Sequence, residues 1–174
     1  MYKVALIGPE STGKSELSVA LAHHFKGDFV PEYARNYIEN LKQSYTFNDV
    51  CIIAQKQIEL QNVYLNKNNQ AVVFFDTELI ITKVWFEYCY NTVPEFVEKN
   101  LSEPYFDLYL LCYPDIPWIP DPVREHGGDE RMFFYEWYKR EIELMGVPYT
   151  IIDGIGEIRT NNAIKAVNKL LECK

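Results

Sequence analysis

The chain has 174 residues, the length of one ordinary domain, and 48% of them are hydrophobic, so we expect one fold with a buried core. Its formal net charge of -8 argues against a nucleic-acid partner, because phosphate backbones bind to basic surfaces. No apolar stretch is long enough to span a bilayer, so no membrane partner is expected. The 4 cysteines lack C-x-x-C spacing, and no signal peptide is recognisable, which indicates a reduced, cytoplasmic protein without a zinc site.

The first motif of the chain lies between an apolar run and a helix-compatible stretch. Residues 8–15 read Gly-Pro-Glu-Ser-Thr-Gly-Lys-Ser, which fits the pattern G-x-x-x-x-G-K-[ST] without a mismatch. Residues 3–7 before it predict a buried strand, and the residues after it predict a helix. Strand, loop and helix are the context of a phosphate-binding P-loop. A Gly-rich turn that carries Lys-Ser by chance is the alternative, and the flanks argue against it.

The residue types in this loop explain how it would bind a nucleoside triphosphate. Gly8 and Gly13 lack a Cβ, so the backbone can curl its N–H groups around a phosphate at the positive end of the next helix. Lys14 would reach the β- and γ-phosphates, and the Ser15 hydroxyl would bind Mg²⁺. We therefore expect ATP and Mg²⁺ as cofactors. The expected nucleotide-binding residues are Gly8, Glu10, Ser11, Thr12, Gly13, Lys14 and Ser15.

Strands and helices alternate through the middle of the chain. The pattern predicts, in order, a strand at 28–30, a helix start at 33–41, a long helix from 46 to about 65, a polar turn at 66–70 and a strand at 71–76. The last strand ends in Asp76, which a parallel sheet would place at its C-terminal edge as a Mg²⁺ ligand. Capping the following helix, with Thr77 and Glu78 beside it, is the alternative role of Asp76.

A proline-rich loop interrupts the second half of the chain. The predicted elements there are helices at 79–90 and 94–101, a strand at 108–112, a helix from Asp129, a strand at 149–152 and a closing helix at 158–171. Between the strand at 108–112 and the helix from Asp129, four prolines and a Gly pair exclude a regular helix. A loop of this length in a compact domain is usually functional or mobile.

The alternation of apolar strands with helices predicts the fold class, which is α/β. Strands that are apolar throughout are buried on both faces of a parallel sheet. We expect a three-layer P-loop NTPase domain, with a five-stranded parallel sheet, helices on both faces and a lid loop. A single P-loop kinase domain would then span residues 1–174, with the lid at about 114–131.

Three features favour a small-molecule kinase over an ATP-driven motor or a GTPase switch. The chain has no room for an effector domain, and it lacks a guanine-reading Asn-Lys-x-Asp motif. The lid carries Arg124 and leads to Arg131, which we predict to be catalytic together with Lys14. An arginine-bearing lid suits phosphoryl transfer because it neutralises charge and excludes water. A solvated helix start is the alternative role for these arginines.

Four blocks of sequence carry a resemblance to a known family. They are Gly8-x-Glu10-Ser11-Thr12-Gly13-Lys14-Ser15, Glu32-Tyr33-Ala34-Arg35, Asp76-Thr77-Glu78 and Pro117-Trp118-x-x-Asp121-x-x-Arg124. In this order they resemble the nicotinamide riboside kinase domain, the C-terminal part of a bacterial multifunctional protein of NAD biosynthesis and regulation. The resemblance covers nearly the whole chain. No helix-turn-helix segment or adenylyltransferase domain precedes the P-loop, so we expect a stand-alone kinase that cannot by itself make the dinucleotide.

The resemblance implies transfer of the γ-phosphate of ATP to the ribose 5′-hydroxyl of nicotinamide riboside, giving the mononucleotide. It makes Glu32, at the end of the second strand, the first choice for the general base, with Asp76 as the competing candidate. Glu78 would hold the ribose hydroxyls. The arginines expected to face phosphate oxygens are Arg35 and Arg124, with Arg131 in reserve.

The resemblance also implies an aromatic substrate pocket. The nicotinamide ring is a flat cation when it is joined to ribose, and aromatic faces bind such rings by stacking and cation–π attraction. Tyr33, Trp85 and Trp118 are expected to line the pocket. The full set of expected substrate-binding residues also includes Glu32, Arg35, Asp76, Glu78 and Asp121 of the lid block. A role in the core is the alternative for Trp85. The three histidines carry no ligand spacing and need no special role.

Two other functions stay open at the level of the sequence. The first is a kinase for another nucleoside or small metabolite, which would keep the same P-loop, Glu32 and lid. The second is a regulatory ATPase that signals by lid position and has no small-molecule acceptor. A homo-oligomer also stays open.

Overall fold

Five short apolar segments form the strands of one parallel sheet, in the order β2-β3-β1-β4-β5. The computed structural model describes residues 1–67 and 70–172. The strands are β1 (Tyr2–Ile7), β2 (Asp28–Val30), β3 (Val72–Asp76), β4 (Leu108–Cys112) and β5 (Tyr149–Ile152). The predicted five-stranded parallel sheet is therefore confirmed.

The helices follow the strands as the sequence pattern predicts. They are α1 (Lys14–Phe25), α2 (Tyr33–Glu39), α3 (Phe47–Lys67), α4 (Leu79–Tyr90), α5 (Glu95–Leu101), α6 (Glu130–Met145) and α7 (Glu157–Glu172). The bounds differ from the predicted ones by a residue or two, because the flanking residues at a helix end are only half helical. Asp129, for example, is the N-cap of α6 and not its first residue.

Alternate side chains of the strands pack on opposite faces of the sheet. On one face, Ala5 and Phe75 belong to a core cluster with apolar residues of α4 and α6. On the other face, Leu6 and Phe74 belong to a cluster with residues of α1 and α7. The inner strands β1, β3 and β4 are buried on both faces over most of their length, which explains the apolar runs that begin at Val4, Val72 and Leu108. The predicted three-layer architecture is confirmed.

The topology brings four chain segments to one edge of the sheet. β1 lies at the centre, with β3 and β2 on one side and β4 and β5 on the other. The carboxyl ends of β1, β2 and β3 lead into the P-loop, Glu32 and Asp76, and β4 leads into the lid, residues 114–131. In open α/β sheets this edge, at the point where the strand order reverses, is where ligands bind.

Some predictions fall outside the described residues. Residues 66 and 67 of the predicted polar turn at 66–70 belong to α3 and not to a turn, whereas residues 68 and 69, like Cys173, lie outside the described residues. Within them, Cys51, Cys89 and Cys112 are free thiols. None of the helices in the described ranges is both long and apolar enough to cross a membrane.

Candidate active site

The P-loop joins β1 to α1 and has the curled backbone that its glycines predict. Gly8 and Gly13 have φ values of 152° and 74°. A Cβ at Gly8 would lie 2.7 Å from the carbonyl oxygen of Cys112, so only glycine fits there. The Lys14 Nζ donates to the carbonyl oxygens of Gly8 and Pro9, at 2.8 and 2.9 Å. The amine therefore lies over the loop, where phosphate oxygens can replace these two carbonyls as its acceptors.

Two buried side chains brace the P-loop. Thr12 is 1% exposed, and its hydroxyl donates to a carbonyl oxygen within the loop. Arg159 of α7 is 3% exposed and forms an ion pair with Asp115. It also donates to the carbonyl oxygens of Thr12, Tyr113 and Gly154. One guanidinium thus ties α7 and the start of the lid to the P-loop, a role that the local sequence around Arg159 gives no sign of.

Asp76 and Ser15 together have the donor set of a magnesium site. Asp76 is 4% exposed, and its Oδ1 has no hydrogen-bond partner among the described residues. Burial raises the pKa of this carboxyl, while a hydrogen bond from Ser15 and the charge of Lys14 act in the opposite direction. A buried carboxylate oxygen without a partner is costly unless something binds it. Because carboxylate and hydroxyl oxygens are ligands that Mg²⁺ prefers, these two residues fit that cation.

Glu32 lies at the start of α2, and charged groups of the P-loop, β3 and α2 act on its carboxyl. It is the N-cap residue of α2, but its side chain makes no capping hydrogen bond. Burial raises the pKa of its carboxyl and outweighs the opposing attraction of Lys14. Asp76 also raises this pKa, and Arg35 lowers it. A carboxyl with a raised pKa is a stronger base than an exposed glutamate, which suits proton abstraction.

A cavity of about 560 Å³ extends from the P-loop to the lid. Its volume lies within the range of small-molecule sites. The P-loop and Glu32 line this cavity. Six side chains with aromatic rings line it as well, and we call them the aromatic wall: Tyr45, Trp85, Tyr88, His126, Phe134 and Tyr138. Polar groups of the P-loop and a set of aromatic rings thus share one cavity.

The lid is docked on the P-loop through Ser11 and Arg131. The Ser11 hydroxyl donates to the carbonyl oxygen of Pro117 and accepts from the N–H of Ile119, at 3.3 and 3.2 Å. Arg131 is 6% exposed, and its three guanidinium nitrogens donate to the backbone carbonyls of Glu10, Ser11 and Ile116. The expected phosphate contact of Arg131 is therefore not what the structure describes, since its donors join the lid, α6 and the P-loop.

Arg35 and Arg124 both line the cavity and meet at one carboxylate. Arg35 Nη2 and Arg124 Nε lie 3.3 and 3.0 Å from Asp121 Oδ2. Arg124 also donates to the carbonyl oxygen of Ile119. Asp121 thereby holds two cations from different elements, α2 and the lid, at the cavity edge. Both guanidinium groups keep further donors for a negatively charged ligand.

Five residues expected to bind substrate lie outside the lining of this cavity, and two of them, Asp76 and Asp121, are described above. Glu78 is 2% exposed and accepts the N–H of Ile80 as the cap of α4, and burial raises its pKa to about 8. The ring of Trp118 packs against Gly127 in the lid. The N–H of Tyr33 donates to the side chain of Gln57, which ties the start of α2 to α3. Trp85, by contrast, lines the cavity as expected.

Most of the aromatic wall was not foreseen from the sequence. The sequence pattern assigns no special role to His126, yet its ring lies against the rings of Phe134 and Tyr88, at centroid distances of 4.6 and 5.3 Å. Phe134 and Tyr138 lie one turn apart on α6 and face the cavity. Their spacing matched a buried helix face, so nothing in the pattern separated cavity wall from core. The position of His126 beside the Gly pair at the end of the lid was the one available signal.

A family model described as "AAA domain" matches residues 3–159. The chain belongs to this family. This chain is 30% identical to the trifunctional NAD biosynthesis/regulator protein NadR of Salmonella typhimurium over 132 residues, which are 72% of this chain and 31% of the relative. NadR of Escherichia coli matches with the same identity and coverage. The chain thus spans about a third of the length of the curated relatives that it matches.

The solved structures similar to this chain include NadR proteins as well. A NadR protein in complex with NR has a TM-score of 0.80 and 26% identity, over 99% of this chain and 52% of that one. A NadR protein in complex with NAD and AMP-PNP has a TM-score of 0.74 and 25% identity, over 99% and 50%. Deoxyadenosine kinase from M. mycoides, at 15% identity and a TM-score of 0.60, covers 96% of this chain and shares its fold.

Proposed function

We propose that this chain is an ATP-dependent kinase that phosphorylates the ribose 5′-hydroxyl of nicotinamide riboside. The observation that carries the proposal is that Glu32, whose pKa burial raises and the charge of Lys14 lowers, lines one cavity with Lys14 of the P-loop and the aromatic wall. A base at this point meets a hydroxyl and a γ-phosphate together. The similarity to NadR, of which one structure is in complex with NR, supports the choice of acceptor.

The proposed reaction is an in-line transfer in which the protein mainly positions the groups and balances their charge. Lys14 binds the β- and γ-phosphates of ATP, and Ser15 and Asp76 hold Mg²⁺. The bound cation neutralises charge on the phosphates. Glu32 takes the proton of the 5′-hydroxyl while the 5′-oxygen of the riboside forms a bond to the γ-phosphorus of ATP. The bond between this phosphorus and the bridging oxygen breaks, and ADP leaves with that oxygen.

The remaining cavity residues receive roles in binding and orientation. Arg35 and Arg124 contact the transferred phosphoryl group, and Asp121, which both guanidinium groups contact, keeps them in place. Trp85 and Tyr88 offer aromatic faces to a flat cationic ring, an attraction that strengthens when water is excluded. The lid supplies this exclusion, which also prevents transfer of the phosphate to water.

ADP release with Mg-ATP tests the proposal when nicotinamide riboside and other nucleosides are added in separate wells. Strong stimulation by nicotinamide riboside alone is the expected result. Stimulation by a different nucleoside would retain the kinase and reject the proposed acceptor. Slow hydrolysis that no acceptor stimulates would reject the kinase and favour the regulatory ATPase.

A further inference from the structure

Glu10 occupies a variable position of the P-loop, yet its side chain contacts the lid. Its Oε1 accepts the N–H of Glu125 at 3.2 Å, and its Oε2 accepts the N–H of His126 at 3.1 Å. The two donors are successive backbone groups, so their recognition does not depend on the lid side chains. One carboxylate therefore fixes the path of the lid backbone at these two residues.

Binding of nucleotide does not explain a carboxylate at this position. A P-loop binds a highly charged anion, and a negative side chain within it opposes that binding. Glu10 also raises the pKa of Glu32, which shows that its charge is felt within the site. The two N–H groups donate to two different oxygens of one side chain, an arrangement that a carboxylate provides and that an amide, with one oxygen and one NH₂ donor, does not. The sequence pattern places Glu10 among the nucleotide-binding residues, but the contacts of its side chain match the lid and not the nucleotide.

The lid residues held by Glu10 form part of the cavity wall. Glu125 and His126 both line the cavity. The Glu125 carboxylate accepts the hydroxyl of Tyr45 at 2.8 Å, and Tyr45 in turn packs edge-on against Trp85. The His126 ring contacts Phe134 of α6. A shift of the backbone at residues 125 and 126 would therefore displace several parts of the aromatic wall together.

We propose that Glu10 is a positioning residue that docks the lid on the P-loop. The docked lid completes the acceptor compartment, by which we mean the part of the cavity that the aromatic wall lines and that would hold the phosphate acceptor. The acceptor compartment is then correctly formed only while the lid lies against the P-loop. Two bonds from one side chain link the site of the phosphate donor to the wall around the phosphate acceptor. The effect on acceptor binding rests on the proposed function, whereas the docking of the lid does not.

Substitutions at Glu10 separate lid docking from nucleotide binding. Glu10→Ala removes both acceptor oxygens, Glu10→Gln keeps the size and leaves one oxygen, and Glu10→Asp keeps both on a shorter arm. We expect the KM for nicotinamide riboside to rise about tenfold in the first two variants, the scale of losing charge-assisted hydrogen bonds. The dissociation constant of ATP is expected to stay unchanged or to fall. Glu10→Asp should restore part of the acceptor affinity.

Hydrogen exchange gives a readout that needs no acceptor. The amides of Glu125 and His126 should be protected in the wild-type protein and should lose protection in Glu10→Ala and Glu10→Gln, while amides of the sheet keep theirs. Asp129→Asn is the matched control, because it removes one carboxylate at the exposed start of α6, where Asp129 makes no capping bond. This control should leave both the exchange and the KM at their wild-type values.

Either of two results would overturn the proposal. The first is unchanged exchange at residues 125 and 126 in the Ala and Gln variants. The second is loss of lid protection without a change in the KM of the acceptor, which would remove the link to acceptor binding. If the wild-type protein phosphorylates no acceptor, the proposed function fails, and the exchange experiment still decides whether Glu10 docks the lid.

Discussion

Glu32 is the residue on which the proposed chemistry depends most. Replacing it with Gln keeps the shape of the side chain and removes the base, so we expect phosphorylation to fall by at least about a hundredfold. ATP should still bind, because the P-loop contacts are intact. ADP release and calorimetric titration with ATP measure the two quantities separately. Glu59→Gln, at an exposed position on α3, is a matched control. Retained turnover in Glu32→Gln would transfer the role of the base to Asp76.

The raised pKa of Glu78 should make the free energy of unfolding depend on pH. Burial raises the pKa of its carboxyl from 4.5 to about 8, so the folded protein binds this proton more tightly than the unfolded chain. The contribution of Glu78 to stability is therefore fully present below pH 4.5 and is lost as the pH rises towards 8. Glu78→Gln stays neutral and keeps an oxygen for the N–H of Ile80.

The comparison of Glu78→Gln with the wild-type protein isolates this effect. The variant should gain stability relative to the wild type between pH 5 and 8 with a slope of up to about 1.4 kcal/mol per pH unit. Urea unfolding at several pH values measures the difference. A difference between the two proteins that does not change with pH would show that Glu78 is ionised in the folded state.

At the scale of elements, Arg159 connects α7 with the P-loop and the start of the lid. Arg159→Ala would remove the ion pair with Asp115 and the donor of three backbone carbonyls, so we expect a loss of about 3 kcal/mol in the free energy of unfolding. The control Arg140→Ala removes an exposed arginine of α6 and should change the free energy of unfolding by less than about 0.5 kcal/mol. Urea unfolding measures both. Equal stability of the two variants would show that Arg159 does not brace the loop.

The strands were predictable from sequence, and the lid contacts were not. The strand β4 is buried at every position and is an uninterrupted apolar run, and β2, β4 and β5 have the predicted bounds. The prolines identified the lid as a loop because each removes a backbone donor. The Glu10 contacts to the lid, however, join residues 115 and 116 positions apart, and no local pattern encodes them. The same holds for Arg159, whose pattern is that of an amphipathic helix.

The candidate site was predictable where a motif fixes a residue within a strand–loop–helix unit. Lys14, Ser15 and Asp76 are of this kind, because the parallel sheet brings the ends of β1 and β3 together. The aromatic wall is different. Phe134 and Tyr138 follow the spacing of a buried helix face, and only the tertiary structure shows that this face borders a cavity.

At the scale of the whole molecule, binding of Mg-ATP should stabilise the fold by mass action. At a ligand concentration of 100 times the dissociation constant, the expected gain is about 2.7 kcal/mol. Asp76→Asn removes the carboxylate charge that we propose binds Mg²⁺. The variant should therefore lose the additional gain in stability that Mg²⁺ gives over ATP alone. Thermal unfolding with ATP, with and without Mg²⁺, measures this increment. An undiminished Mg²⁺ increment in the variant would exclude Asp76 as a ligand.

The identity of the phosphorylated product tests the central claim most directly. The protein is incubated with Mg-ATP and nicotinamide riboside, and the product is identified by mass spectrometry and phosphorus NMR. A parallel reaction contains the 5′-deoxy analogue of the acceptor. We expect one phosphate on the 5′-oxygen of the riboside and no product from the analogue. A phosphate on another oxygen, turnover of the analogue, or no product from nicotinamide riboside would contradict the claim.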